Sequence, residues 1–293
     1  MKIRIGVGAG APTPAALTQI LDATVEHGFD SIWFSELLTG DGLDPVVALS
    51  WAARHHPRLK LGTTMLLPGR NVVRLAKQLA SIDALSEGRL LVTFVSGINQ
   101  PPEREAIGLP LAARRGAIEE ALPLLRRLLA GDTVTHRGDV ASFTDVRLAP
   151  LPVQQPLEFW LGGIAPRSLE LCGRLGEGWL PSLCTPAQAA AGRDVIERVA
   201  AAEGRTISPE HFGVSIGYSH GPLSEAALAR ITRRAGSDDI ARLVPTSLDA
   251  LRTLLREYID VGFSKFVIRP FVPPDSWQSE LAAAADAVLD LQT

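Results

Sequence analysis

The chain has 293 residues, 46% hydrophobic and 21% charged, an ordinary composition for a protein built around a hydrophobic core. Its 29 basic and 32 acidic residues leave a formal net charge of -3, and no long Lys/Arg run supplies the stripe that nucleic acid would need. Two cysteines, Cys172 and Cys184, are too few for a disulfide framework or a zinc site, and read as reduced core thiols.

The opening MKIRIGVGAG enters a strand at once and lacks the apolar core of a secretory signal. No later apolar run reaches membrane-spanning length, so the expectation is a cytoplasmic protein without a membrane partner. IRIGVG precedes an amphipathic stretch from Pro14 to Glu26, SIWFS precedes Pro45 to Arg54, and LKLGTTMLL precedes Val72 to Leu85. LLVTFV follows as a fourth strand. After a break come LEFWLGG with Pro166 to Arg174, GWLPSL with Pro186 to Ala202, FGVSIGY with a helical stretch ending near Val261, and KFVIRP with Trp277 to Leu289. Pro14, Pro45, Pro166 and Pro186 fall in or just before first turns, where a missing N–H costs nothing.

This alternation predicts a parallel sheet. About eight strand–helix units, in a chain near the ~250 residues typical of a barrel, predict an α/β fold: a single (β/α)8 TIM barrel spanning residues 1–293. Gly131 to Pro156 breaks the rhythm and reads as a hairpin excursion before the fifth strand, inside one domain. An open doubly wound sheet competes with the barrel. Its dinucleotide-binding turn is not matched by GVGAGAP, where Gly6, Gly8 and Gly10 alternate along a strand as if something packs closely against it.

In a barrel of this kind the chemistry sits at the C-terminal ends of the strands. Strand two ends at Ser35 and Glu36. Strand three carries Thr63 and Thr64, hydroxyls beside a glycine in an apolar run, a pattern that suggests a bulge or a close backbone approach. Strand four ends at Ser96 and Gly97, small residues that leave room for a flat ligand. Strand five ends at Gly162-Gly163 ahead of a helix; the pair serves either as a plain tight turn or as an anion loop, and the rim position favours the anion loop. Strand seven leads to His220, a candidate proton carrier, and strand eight ends at Arg269.

The other histidines (His27, His55, His56, His136 and His211) fall away from this face, so no metal site of the two-His-one-carboxylate kind is expected there. Three of the four lysines, Lys2, Lys60 and Lys265, open strands at the opposite face, which disfavours Schiff-base chemistry. A rim with one carboxylate, several hydroxyls and an anion loop, but no obvious nucleophile, suits a borrowed cofactor.

Four stretches, GFDSIWFSE, Leu59 to Gly97, LLRRLLAG and PLPVQQPLEFWLGGIAPRSLELCGRLGEGWLP, together resemble the signatures of the bacterial luciferase-like family across nearly the whole chain. The resemblance is strongest to actinobacterial F420-dependent oxidoreductases, to which VGFSKFVIRPFVPP and ADAVLDLQT add. It implies a TIM barrel that uses the deazaflavin F420 or reduced FMN, acts on a small-molecule substrate, and assembles as a homodimer or larger homo-oligomer. By position it implies that Glu36 approaches the ring and that Thr63, Thr64 and Met65 lie behind it, with a non-prolyl cis peptide at Thr64-Met65. It likewise implies that Ser96, Gly97 and Ile98 contact the cofactor and that the amides of Gly162, Gly163, Ile164 and Ala165 meet its phosphate tail.

Many relatives place a histidine after the strand-two acid. Here that residue is Leu37, which leaves the companion proton to Glu36, His220 or water. The expected function is F420-dependent hydride transfer to or from a small organic substrate. The alternatives are an FMN-dependent luciferase-like monooxygenase, with a separate reductase supplying reduced flavin, and a non-catalytic cofactor-binding protein.

Overall fold

A computed structural model describes residues 1–10, 12–235 and 243–293. The elements run β1 (Arg4–Gly10), α1 (Pro14–Glu26), β2 (Ser31–Ser35), α2 (Pro45–His55), β3 (Lys60–Leu66), α3 (Val72–Leu85) and β4 (Leu90–Val95). They continue with α4 (Glu103–Ala106), α5 (Leu111–Leu129), β5 (Val134–Arg137), β6 (Ser142–Val146), β7 (Phe159–Leu161), α6 (Pro166–Leu175), β8 (Gly178–Trp179) and α7 (Pro186–Ala202). The last are β9 (Gly213–Tyr218), α8 (Glu225–Ala235), α9 (Leu248–Asp260), β10 (Lys265–Pro270) and α10 (Trp277–Val288).

Eight strands form one sheet in the order β8-β7-β4-β3-β2-β1-β10-β9. The β1–β10, β10–β9 and β3–β4 pairs are parallel. The two end strands are joined by parallel bridges, Trp179 to Phe212 and Ser182 to Ser215, so the order closes on itself. Strand order and alternation are those of a (β/α)8 TIM barrel. The expected fifth to eighth barrel strands are β7, β8, β9 and β10. The excursion before the fifth is the antiparallel β5–β6 hairpin.

Helices α1, α2, α6 and α7 begin on Pro14, Pro45, Pro166 and Pro186. Asp44 caps α2 by accepting from the Val46 amide at 2.8 Å, and Thr185 with Gln188 forms a full capping box on α7. Caps of this kind stabilise by about 1 kcal/mol each. Between strand four and the hairpin, where the alternation calls for a helix without fixing its bounds, lie α4 and α5. Gly116 and Pro123 interrupt α5 as breakers would, but Ala117, Ile118, Ala121, Leu122, Leu125 and Leu128 still form a buried face at three- and four-residue spacing. The single helical stretch expected before Val261 is two helices, α8 and α9; residues 236–242 lie outside the described set.

The chain divides into two units. The first comprises Met1–Ala9, Ala15–Trp33 and Leu161–Thr293. Its aromatic core centres on Phe263, whose ring lies 5.9 Å from Trp179, 5.9 Å from Tyr258 and 6.2 Å from Phe212. Tyr258 satisfies its buried hydroxyl by donating to the Cys184 carbonyl.

The second unit comprises Gly10–Pro14 and Phe34–Trp160. In it β3 and β4 pair without a register break from Leu61–Leu90 to Leu66–Val95. No bulge at Thr63-Thr64 interrupts this β3–β4 ladder, which β-branched threonines fit. The register shift occurs instead in the hairpin, between Val134 and His136. Glu120 of α5 holds that hairpin, accepting from the Asp139 and Val140 amides at 3.1 Å each and pairing with His136 at 2.8 Å. On α3 the buried Asp83 accepts from the Gln154 amide at 2.9 Å and from its side chain at 2.7 Å, tying the Pro-rich connector to the helix. Among the described residues no helix is long and apolar enough to cross a membrane.

Candidate functional site

In the second unit, Glu36 follows directly on β2, where its amide donates to the Thr64 carbonyl at 2.8 Å. Its side chain is only 3% exposed and forms an ion pair with Arg70, whose own side chain is 19% exposed. The other carboxylate oxygen accepts from the Leu66 amide at 2.8 Å, while Arg70 Nε donates to the Leu66 carbonyl at 2.9 Å. Burial raises the pKa of Glu36; the Arg70 charge and the Leu66 amide oppose that rise without cancelling it. With both oxygens engaged, Glu36 and Arg70 act together to fix the exit of β3. Arg70 is the partner that a reading of the rim carboxylate alone does not supply, since it lies 34 residues along the chain.

Alternation along β3 separates its three candidates. Thr63 is fully buried and donates to the Phe34 carbonyl at 3.0 Å, and Met65 is fully buried too. Thr64 stays half-buried and lies in register with Thr93 of β4, so these two hydroxyls share a sheet face. Thr93 Oγ1 is buried and has no hydrogen-bond partner. The expected cis peptide at Thr64-Met65 is corrected. The cis bonds among the described residues are Pro101-Pro102, Ala149-Pro150 and Gln155-Pro156, and Thr64 and Met65 remain in the regular trans ladder opposite Thr93 and Phe94.

Ser96, Gly97 and Ile98 follow β4 and are half-buried. Gly97 adopts φ +85°, and a Cβ there would lie 2.6 Å from Ile107 Cδ1 and 2.8 Å from Leu66 Cδ2. The space beside its Cα is thus filled by protein side chains, which corrects the notion that Gly97 is small to admit a ligand.

In the first unit, Gly162, Gly163, Ile164 and Ala165 connect β7 to α6. Gly163 sits at φ +102°, a conformation costly for other residues, and its carbonyl accepts from Trp179 Nε1 at 2.9 Å. Gly163, Ile164 and Ala165 are exposed, and α6 begins without a side-chain cap. Such an end presents main-chain donors and the positive pole of the helix, a setting for an anion.

Also in the first unit, His220 follows β9 with its side chain 53% exposed and pairs with Glu280 of α10 at 2.9 Å. Glu280, 10% exposed, also accepts from the Tyr218 hydroxyl at 2.7 Å. Burial, and then that hydrogen bond, push the Tyr218 pKa up, so the phenol stays protonated. A carboxylate anchored by a phenol and paired with a rim imidazole can orient the ring for proton transfer. Glu280 was not singled out from the sequence, because a partner on α10, 60 residues away, leaves no local trace. Arg269 stacks its guanidinium over Phe271 at 5.3 Å. Burial pushes the Cys172 thiol up to about 12 and the Cys184 thiol up to about 11, so neither is a ready nucleophile.

An F420-dependent glucose-6-phosphate dehydrogenase of Kineococcus radiotolerans is 25% identical over 191 residues, which cover 61% of this chain and 56% of that protein. Limonene 1,2-monooxygenase of Rhodococcus erythropolis is 29% identical over 205 residues, covering 65% of this chain and 52% of that enzyme. The chain thus spans about half the length of these curated relatives. A solved F420-dependent secondary alcohol dehydrogenase in complex with an F420-acetone adduct superposes with a TM-score of 0.83 at 18% identity, covering 100% of both chains, which establishes the shared fold. The model of the luciferase-like monooxygenase family matches residues 1–261, most of the 293, and the chain belongs to that family.

Proposed function

We propose that this protein is an oxidoreductase that transfers a hydride between coenzyme F420 and a small organic substrate. The observation that carries it is the sequence match to an F420-dependent glucose-6-phosphate dehydrogenase within a family-wide match. Features of the structure fit such a group. The uncapped N-terminus of α6, entered through Gly163 at φ +102°, has the donor chemistry that a phosphate tail requires. The orphaned Thr93 hydroxyl, in register with the half-buried Thr64, leaves polar capacity on the strand face assigned to the ring.

On this proposal Gly162, Gly163, Ile164 and Ala165 hold the tail through main-chain amides. Glu36, Thr63, Thr64, Met65, Ser96, Gly97 and Ile98 shape the ring site. Bound F420 supplies the hydride acceptor or donor. His220, oriented by Glu280, gives or takes the companion proton at an imidazole nitrogen, and Glu36, locked to Arg70, positions β3. Residues 1–293 work as one domain, in the cytoplasm, as a homodimer or larger homo-oligomer.

The limonene 1,2-monooxygenase match favours a second reading, an FMN-dependent monooxygenase served by a separate reductase. Titrating the purified protein with F420 and with FMN, followed by fluorescence, separates the two. Tight F420 binding is the expected result. Tight FMN binding with no F420 binding replaces the first proposal with the second. Cofactor binding without turnover of any carbonyl, enone or alcohol in a broad screen would leave a non-catalytic binding protein.

A further inference from the structure

The segment Ser96–Ile98 is held from beneath by one side chain that the reaction itself does not call for. Arg114, in the first turn of α5, is fully buried. Its Nη1 donates to the Ser96 carbonyl at 3.1 Å and to the Ile98 carbonyl at 3.2 Å. Nε donates to the Leu109 carbonyl at 3.0 Å, and Nη2 reaches the Arg104 carbonyl at 3.4 Å. Each of these partners is a neutral main-chain oxygen.

Glu103, the nearby acid, spends its own carboxylate elsewhere. It accepts from the Leu38 amide at 2.9 Å, the Thr39 amide at 3.1 Å and the Thr39 hydroxyl at 2.9 Å, in the loop just after Glu36. Burial, and next Arg104, lower the pKa of Arg114, and Glu103 only partly offsets them.

A guanidinium buried on carbonyls alone is an expensive way to fill space, and an apolar side chain in the same place would avoid the desolvation cost. What the guanidinium adds is geometry. Its rigid planar fork fixes several acceptors at once, which a flexible ammonium cannot do. One nitrogen grips the carbonyls on either side of Gly97, and a Cβ on Gly97 would lie 3.4 Å from that same nitrogen. Gly97 is therefore clamped between two bonded carbonyls and backed by the guanidinium.

We propose that Arg114 is a positioning residue that preorganises Ser96–Gly97–Ile98 for ligand binding. It deepens, and rests on, the assignment of that segment as a cofactor contact. Preordering such a loop raises affinity by removing its ordering cost from the binding step.

The test uses the full chain with whichever of F420 or FMN the wild type binds. The dissociation constant and the thermal midpoint are measured for wild type, Arg114→Lys and a destabilised control, Gln154→Ala, which removes the side-chain bonds to Asp83 and to the Leu90 carbonyl. Arg114→Lys keeps the charge and loses the fork; its dissociation constant should rise by about tenfold or more while Gln154→Ala lowers the midpoint with binding intact.

Hydrogen exchange of the 95–99 segment in the unmodified, cofactor-free protein gives a readout that does not depend on a variant folding, and slow exchange is expected there. Arg114→Lys binding within about twofold of wild type overturns the proposal. So does free exchange of the segment until cofactor is added. Wild-type protein that binds neither cofactor overturns the underlying assignment instead.

Discussion

Replacing Arg70 by Met strands the buried carboxylate of Glu36. The pair is enclosed on the acid side, with Glu36 only 3% exposed, while Arg70 keeps 19% of its side chain in solvent. Breaking a buried pair typically costs 3–5 kcal/mol, and the partial exposure of Arg70 places this case at about 3 kcal/mol. Loss of the Arg70 bond to the Leu66 carbonyl adds about 1 kcal/mol that does not depend on pH.

The larger part does depend on pH, and its sign follows from Glu36. Its folded-state pKa lies above the ordinary 4.5, so the stability linked to its proton is complete below the unfolded pKa and is lost as pH rises through the folded one. Removing Arg70 removes the strongest influence that holds that value down, so the loss continues to higher pH. Urea unfolding of wild type, Arg70→Met and Glu36→Gln/Arg70→Met should show a small deficit for the single variant near about pH 4 that grows toward about pH 8. The double variant should recover most of that growth, since it carries no stranded charge. A deficit uniform across this range, or a double variant no better than the single one at high pH, would refute the reasoning.

Gly163→Val forces a β-branched residue into φ +102° beside Ser168, at a strain of about 1–3 kcal/mol. Calorimetric titration should show weaker cofactor binding with the circular dichroism spectrum retained. Thr93→Val removes an unpartnered buried hydroxyl at equal volume, so the thermal midpoint should hold or rise; a clear fall would mean that the hydroxyl has a partner. Glu280→Ala leaves the buried Tyr218 hydroxyl without its acceptor and should cost about 1–3 kcal/mol in urea unfolding, with Tyr218→Phe in the same background restoring part of it.

The amino-acid sequence determined the order of elements and the fold class, because hydrophobic period and helix-start prolines are local signals. Pro14, Pro45, Pro166 and Pro186 open their helices, and the hairpin falls inside the predicted excursion. Gly162-Gly163 was legible as a strand-to-helix loop for the same reason: strand, glycines and proline lie next to one another. The bounds of α5 were not legible, because Gly116 and Pro123 are poor local helix signals, while its buried face is decided by what packs on it.

Only the tertiary structure decided how the candidates are held. Glu36 meets Arg70, His220 meets Glu280, and Arg114 grips Ser96, across separations of 34, 60 and 18 residues. No spacing rule encodes such pairs, since they form where strand ends and helix starts from distant segments converge. Gly97 shows the limit most plainly. Its smallness reads in sequence as room for a ligand, whereas the folded chain fills that room with Ile107 and Leu66 and uses the glycine's positive φ to turn the loop.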